Sequence, residues 1–472
     1  MPSFNKDYSK RVYPLDAHEL SEEQIAVTFA MTSRRPDPFD EIARQVNQEK
    51  AADFSEKWIV GYGHASVAEH AVIHLAIENI SRLACDVLEE SRLASFTEKS
   101  SRYQVMFEDS FYVPIELSQY PELLVNYIRT CKKLFSTYYR LINECADNLK
   151  LRNKPRSSET QESYDGRMRR IATDSCRSIL PAATLTNVGI TANARVLEHS
   201  ISKLMSSDVQ EVQELGLDIR DQSREIIPTL IKYADSNPLL INFADKSSSA
   251  DLSLNKDNLV TTELVESDPN SLDNIIAALL FANSYSDYNS IVKTVSIMDE
   301  YNKKNFLFAY LESMGQHDAP PREFELAQYK FRFVMDYGAL REFRRHRMMS
   351  SIYQYLNIWN GFRVPALVVT AGMEDIYNEA MKESNECFEK IYKVSPSIAQ
   401  YVVTHGHYQQ ILSSVNLREL YHLFKLRSSK LAHFAIRQPI LDAMKLVVSQ
   451  DPILFEKLQL KDYPEWWPFN TS

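Results

Sequence analysis

Glycine is scarce. The 472 residues hold only 10, and none of them falls in a GxGxxG or a GxxxxGK arrangement. Any nucleotide is therefore held by something other than a Rossmann turn or a P-loop. Cysteine is scarce too, at five residues (Cys85, Cys131, Cys145, Cys176 and Cys387). They are scattered and odd in number, with no CxxC and none at ligand spacing from a histidine. A disulfide framework and a metal site are not expected, and a reduced, cytoplasmic setting is. No run of 18 apolar residues occurs, and the opening Met-Pro-Ser-Phe-Asn-Lys-Asp lacks the apolar core of a signal peptide, so no membrane association is expected. Positive charge is short as well: 53 Lys and Arg against 63 Asp and Glu give a formal net charge of −10. That balance argues against a nucleic-acid partner.

What is present is an ordinary globular composition, 44% hydrophobic and 25% charged. The length predicts two domains. A polar, serine-rich and proline-punctuated stretch, residues 236–270, reads as a linker between 1–235 and 271–472. The two halves repeat each other weakly but in order. "EEQIAVTFAMTSRRPDPFDEIARQV" parallels "LDNIIAALLFANSYSDYNSIVKTV", each a pair of amphipathic helices with a break. Ala71, Ile73, Leu75 and Ile77 alternate as Ala327, Tyr329, Phe331 and Phe333 do, the period of a half-buried strand. "TANARVLEHSISKL" parallels "SVNLRELYHLFKLR". The expectation is a duplicated α+β module.

Three arginines and a histidine stand together at Arg344, Arg345, His346 and Arg347. Such a run is either a solvated basic turn or an anion site, since guanidinium groups match phosphate bidentately. Residues 416–437 predict a helix with an apolar stripe of Leu417, Leu420, Leu423, Phe424 and Leu431. Asn416, Arg418, His422 and Arg427 line its polar side, with Asn416 and Arg427 about 16 Å apart along the axis. These could grip a long phosphorylated ligand or simply form a solvated edge. Asn193, Arg195 and His199 repeat the first three at the same spacing, but Leu204 replaces the arginine. His64, Ser66 and Glu69 precede the first strand, and Glu98, Ser100 and Arg102 lie in a polar turn. A serine and an arginine two apart can both donate to one phosphate.

Taken together, these residues resemble the flavin-dependent thymidylate synthase family. That family carries an R-H-R, then seven residues, a serine and a second arginine two further on. A His-x-x-x-x-Glu lies upstream and an N-x-R helix ending in an arginine lies downstream. The resemblance covers both halves, and it implies two tandem family modules, each an antiparallel sheet flanked by helices. The losses are complementary. The first half keeps His64, Ser66, Glu69, Glu98, Ser100, Arg102, Tyr103 and Arg177, but its R-H-R has become Glu90-Ser91-Arg92. The second keeps Arg345-His346-Arg347, Asn416, Arg418 and Arg427, but Tyr355 and Asn357 stand at the phosphate loop. Gln400 replaces the counterpart of Arg177, and Glu342 falls where the family usually has glutamine. Either Glu323 or Glu325 matches Glu69.

The resemblance further implies conversion of dUMP to dTMP, with methylenetetrahydrofolate as carbon donor and FAD, reduced by NADPH, as hydride donor. It places dUMP on Glu98, Ser100, Arg102, Arg177, Arg345 and Arg427, with Arg427 catalytic. It places FAD on His64, Ser66, Glu69, Arg345, His346, Arg347, Asn416, Arg418 and His422. Family members are homotetramers with sites between subunits, so two chains should suffice here, as a homodimer with hybrid sites. The alternative is a diverged flavin- or nucleotide-binding relative whose catalysis is altered or lost.

Overall fold

The period-two stretches form strands, and each feeds a helix as its repeat predicts. The computed structural model describes residues 10–16, 18–33, 35–57, 65–247 and 262–469. Among these, the helices Glu22–Thr32 and Phe39–Gln45 match Ser271–Ala282 and Tyr288–Ser296 as paired helices with a break. Among the described residues there are seven strands, six of them matched by the repeat and β4 without a first-half counterpart: β1 (Val72–Ser81), β2 (Ser95–Glu98), β3 (Leu185–Asn193), β4 (Glu263–Ser267), β5 (Gln328–Asp336), β6 (Met349–Tyr353) and β7 (Tyr408–Asn416). They make a three-stranded sheet of order β1-β3-β2 and a four-stranded sheet of order β4-β5-β7-β6. The architecture is α+β, with helices joined to antiparallel sheet.

Chain packing divides the molecule into two units that do not follow its halves. One consists of Met1–Ile80, Val87–Lys99 and Thr186–Asp251, the other of Ser81–Asp86, Ser100–Leu185 and Leu252–Ser472. In the first unit, β2 and β3 pair antiparallel, and Val188, Ile190 and Ala192 of β3 are buried. In the second, Tyr329, Phe331 and Phe333 of β5 are fully buried, while the alternate residues Lys330 and Arg332 pair with Glu266 and Glu263 of β4.

The segment 236–270, expected to be a linker, is partly structured. It contains the helix Pro238–Ser247 and the strand β4, which hydrogen-bonds to β5. Residues 248–261 lie outside the described residues. Serine and proline there suggested a loop, but Leu264 aligned with Phe331 gives β4 a sheet edge to join.

A second correction concerns the helix after β7. It spans Leu417–Arg427 and buries Leu417, Leu420, Leu423 and Phe424. Leu431, expected to continue the stripe, is 73% exposed. The helix closes with Ser428 N–H bonded to Phe424 O, and beyond it Ser429 and Lys430 bond the Asp462 carboxylate instead.

Within the second unit the two halves pair through equivalent segments. Ala182 N–H donates to Val403 O at 2.8 Å, and His405 N–H donates to Leu180 O at 2.9 Å. Ala183 N–H to Tyr401 O and Gly406 N–H to Ser178 O form the next reciprocal set. Asn193 and Asn416 are 223 residues apart, and so are Ala182 and His405, and Leu180 and Val403. The four bonds therefore obey a local two-fold relation between repeats.

Candidate functional site

In the first unit, Ser66 and Glu69 sit on the short helix Ala65–His70, both exposed; His64 lies outside the described residues. Glu69 forms an ion pair with Arg195. Asn193 is the N-cap of the helix Ala194–Met205, its side chain accepting from Val196 N–H at 2.9 Å. Glu98, at the end of β2, accepts from the Thr186 hydroxyl at 3.0 Å.

The second half repeats this arrangement in the second unit. Asn416 caps its helix by accepting from Glu419 N–H at 2.8 Å. Arg418 donates to Glu325 at 2.8 Å and to Pro320 O at 2.9 Å. Glu325 is three residues before β5, as Glu69 is before β1. This resolves the choice between Glu323 and Glu325 in favour of Glu325. The N-x-R pattern thus encodes a helix cap and an ion pair in both repeats.

The main polar cluster also lies in the second unit, and it draws on both halves of the sequence. Ser100 opens the loop after β2, its hydroxyl accepting from Arg102 N–H at 3.3 Å. Arg102 forks onto Asp174 at 2.9 and 3.0 Å, and its Nη1 is 3.7 Å from Glu342. Arg177, 6% exposed, donates to Ser101 at 3.3 Å and Glu342 at 3.2 Å, with Asp174 at 3.5 Å. Arg427 ends the helix Leu417–Arg427 and reaches the Glu342 carboxylate at 3.4 Å and its carbonyl at 3.3 Å. Three guanidinium groups thus face two carboxylates, leaving one positive charge in excess. Arg345, exposed, adds to the positive field at Arg427. Burial lowers the pKa of both Arg177 and Arg427, the desolvation that makes a charge-assisted contact with an incoming anion strong.

Two histidines complete the cluster in neutral form. The Nε2 of His346 must be an acceptor, because Arg427 donates to it at 3.0 Å and arginine has no lone pair to offer. Its Nδ1–H therefore donates to Glu419 at 2.9 Å. Burial holds its pKa below the usual imidazole value. His433 accepts from Ala435 N–H through Nδ1 and faces Asp174 O with Nε2 at 3.3 Å. Burial, reinforced by Arg177, lowers it to about 4.

The other copy of the loop is closed upon itself. Tyr355 is exposed, whereas Asn357 is buried and bonded to Gln409, Trp359, Asn360 and the Tyr355 carbonyl. Gln400, standing where the first half has Arg177, accepts from Leu356 N–H at 2.9 Å. Neutral amides fill the place that guanidinium groups hold in the first copy.

Of the remaining candidates, Arg345, Arg347 and His422 are exposed and His346 is buried, its ring tilted against that of His422 with centroids 5.3 Å apart. This donor set is cationic and hydrogen-bonding, which suits an anionic dinucleotide. His346, Glu419 and His422 also place donor atoms within 4.8 Å of one another, but both ring nitrogens of His346 are already bonded. Sequence reasoning missed Asp174, His433 and Glu419. Asp174 had a signal, lying three residues before Arg177 on one helix face; His433 and Glu419 had none.

Comparison with known proteins adds a lineage. The family model described as thymidylate synthase complementing protein matches residues 15–229 and 263–453. A UPF0159 protein of Chlamydia muridarum is 31% identical over 448 residues, covering 88% of this chain and 82% of its own. A flavin-dependent thymidylate synthase of Pyrococcus furiosus is 28% identical over 192 residues, 39% of this chain and 68% of that protein. The solved flavin-dependent thymidylate synthase of Helicobacter pylori, complexed with FAD and dUMP, matches 43% of this chain and all of its own at 18% identity and a TM-score of 0.32.

Proposed function

Because the chain belongs to the thymidylate synthase complementing protein family, we propose that it is a flavin-dependent thymidylate synthase. It would convert dUMP to dTMP with methylenetetrahydrofolate as carbon donor, at a site that uses residues of both halves. The observation carrying this reading is the meeting of Arg102 and Arg177 from the first half with Arg427, Glu342 and His346 from the second.

In this reading Arg102 and Arg177 take the phosphate of dUMP, with Ser100 fixing the turn that presents Arg102. The excess positive charge of the cluster favours a bound anion. Arg427 lies against the uracil edge, its guanidinium oriented by the lone pair of His346 and by Glu342. From there it stabilises negative charge developing at N3 and so raises nucleophilicity at C5. Arg345, Arg347 and His422 would hold FAD, while Asn416 and Arg418 keep the adjoining helix in register; Ser66 and Glu69 are further candidates in the first unit. When bound, reduced flavin supplies the hydride, with NADPH as its reductant.

One observation favours a second reading. Glu342, a carboxylate where the family has glutamine, already occupies Arg427. A diverged protein that binds nucleotide or flavin without turnover would tolerate that pairing. Assay with dUMP, methylenetetrahydrofolate, FAD and NADPH separates the two: dTMP should form. Binding of FAD and dUMP without dTMP would favour the diverged binder, and failure to bind either would remove both readings.

A further inference from the structure

The helices Arg82–Leu88 and Tyr337–Phe343 begin in matching fashion. Arg82 N–H donates to Thr184 O and Leu83 N–H to Ala182 O, at 3.0 and 3.1 Å. Tyr337 N–H donates to His407 O and Gly338 N–H to His405 O, both at 2.9 Å. Thr184 and His407, like Ala182 and His405, are 223 residues apart, so Arg82 corresponds to Tyr337 and Asp86 to Arg341. β1 is one residue longer than β5, and Asn79 takes a φ of 59° within it, which marks where the two numberings shift.

Asp86 and Arg341 touch. Arg341 Nε–H donates to Asp86 Oδ1 at 3.2 Å, and the Tyr337 hydroxyl donates to the same carboxylate. The two side chains are 4% and 7% exposed. A position that meets its own equivalent across a two-fold relation meets an identical residue when the modules are identical. Here the equivalents carry opposite charge. Pairing two first-half modules this way would bury carboxylate against carboxylate, and pairing two second halves would bury guanidinium against guanidinium. Neither has water to screen it.

We infer that the Asp86–Arg341 pair makes this interface specific for unlike modules, rejecting a second copy of either half as partner. Specificity of this kind comes from a repulsive element against the wrong partner as much as an attractive one for the right partner. The consequence reaches the site, because Arg341 adjoins Glu342. Only unlike pairing brings Arg102 and Arg177 to the carboxylate that also holds Arg427. The inference rests on the reading of the chain as two family modules, and not on the reaction those modules perform.

The test is a charge cycle in the full-length protein, read by melting temperature. D86N and R341Q should each lower it by roughly 5 °C or more, since each removes one member of a buried ion pair. D86N/R341Q should lose clearly less than the two single losses added together. D86R, which sets like charge against Arg341, should melt lower than D86N. Additive losses in the double variant, or D86R melting no lower than D86N, would overturn the inference. Failure of wild-type protein to bind dUMP would instead count against the synthase reading and leave these melting temperatures unaffected.

Discussion

Arg427 is held from two sides, by the lone pair of His346 and by Glu342, and its guanidinium is half-buried. In the proposed synthase, replacing it removes a group that acts on developing charge rather than one that holds cofactor. Arg427→Ala should therefore reduce dTMP formation by about 100-fold or more, with flavin absorbance retained in the purified protein. The two loop copies should respond differently to mutation. Ser100→Ala with Arg102→Ala should weaken dUMP binding by about 2–4 kcal/mol, measured by calorimetry, as charge-assisted bonds to a phosphate are lost. Tyr355→Ala, at an exposed side chain, should leave affinity and stability nearly unchanged. Asn357→Ala should leave affinity alone yet cost about 1–3 kcal/mol of stability, because its side chain bonds Trp359 N–H, Asn360 and the Tyr355 carbonyl inside the fold. Equal loss of dUMP affinity from both loops would refute the division of labour between halves.

At the scale of elements, the strand-to-helix joints carry the repeat. Asn193 and Asn416 end strands and cap helices with the same side-chain bond, and replacement of Asn416 by alanine should cost about 1 kcal/mol. Buried imidazoles beside these elements couple stability to pH. Burial lowers His433 to about 4 and His407 to about 3 and lowers His346 as well. In the unfolded chain each takes up its proton near pH 6.5. Their contribution to stability is thus complete above that value and is lost as pH falls from about 6.5 toward 4 and below. Melting temperature should decline over that window in acid titration, and His433→Gln should flatten part of the decline. A melting temperature that stays level from pH 7 to 4.5 would contradict the buried, neutral state of these rings.

For the whole molecule, the family model matches the chain twice, so two chains supply four modules. A homodimer near 109 kDa, twice the 54.5 kDa chain, is the expected assembly. The second-unit cluster already combines both halves within one chain, while Gln400 and Asn357 close the alternative loop. Flavin should therefore saturate near two per dimer and not four. Light scattering with absorbance on the same peak measures both quantities, and four flavins per dimer would show that the closed loop still supports a site.

Much of this was settled locally and could be read from residues in order. Period-two alternation set β1 and β5, and asparagine before an apolar helical stripe set the two capped helices, because backbone direction and local hydrogen bonds depend on near neighbours. Complementary loss in the two loops was visible for the same reason: Ser100 and Arg102 stand where Tyr355 and Asn357 do. Contacts between segments hundreds of residues apart had no such signature. Nothing in sequence placed Glu342 among Arg102, Arg177 and Arg427, or His433 beside Asp174, since their pairing depends on how the halves meet. The strand at Glu263–Ser267 was likewise hidden, because a polar edge strand is stabilised by the neighbour it joins rather than by its own composition. Local chemistry wrote the modules and the list of candidate groups. Tertiary packing decided which of those groups share a charge cluster and which are spent on caps and ion pairs, because burial and long-range approach exist only once the chain has folded.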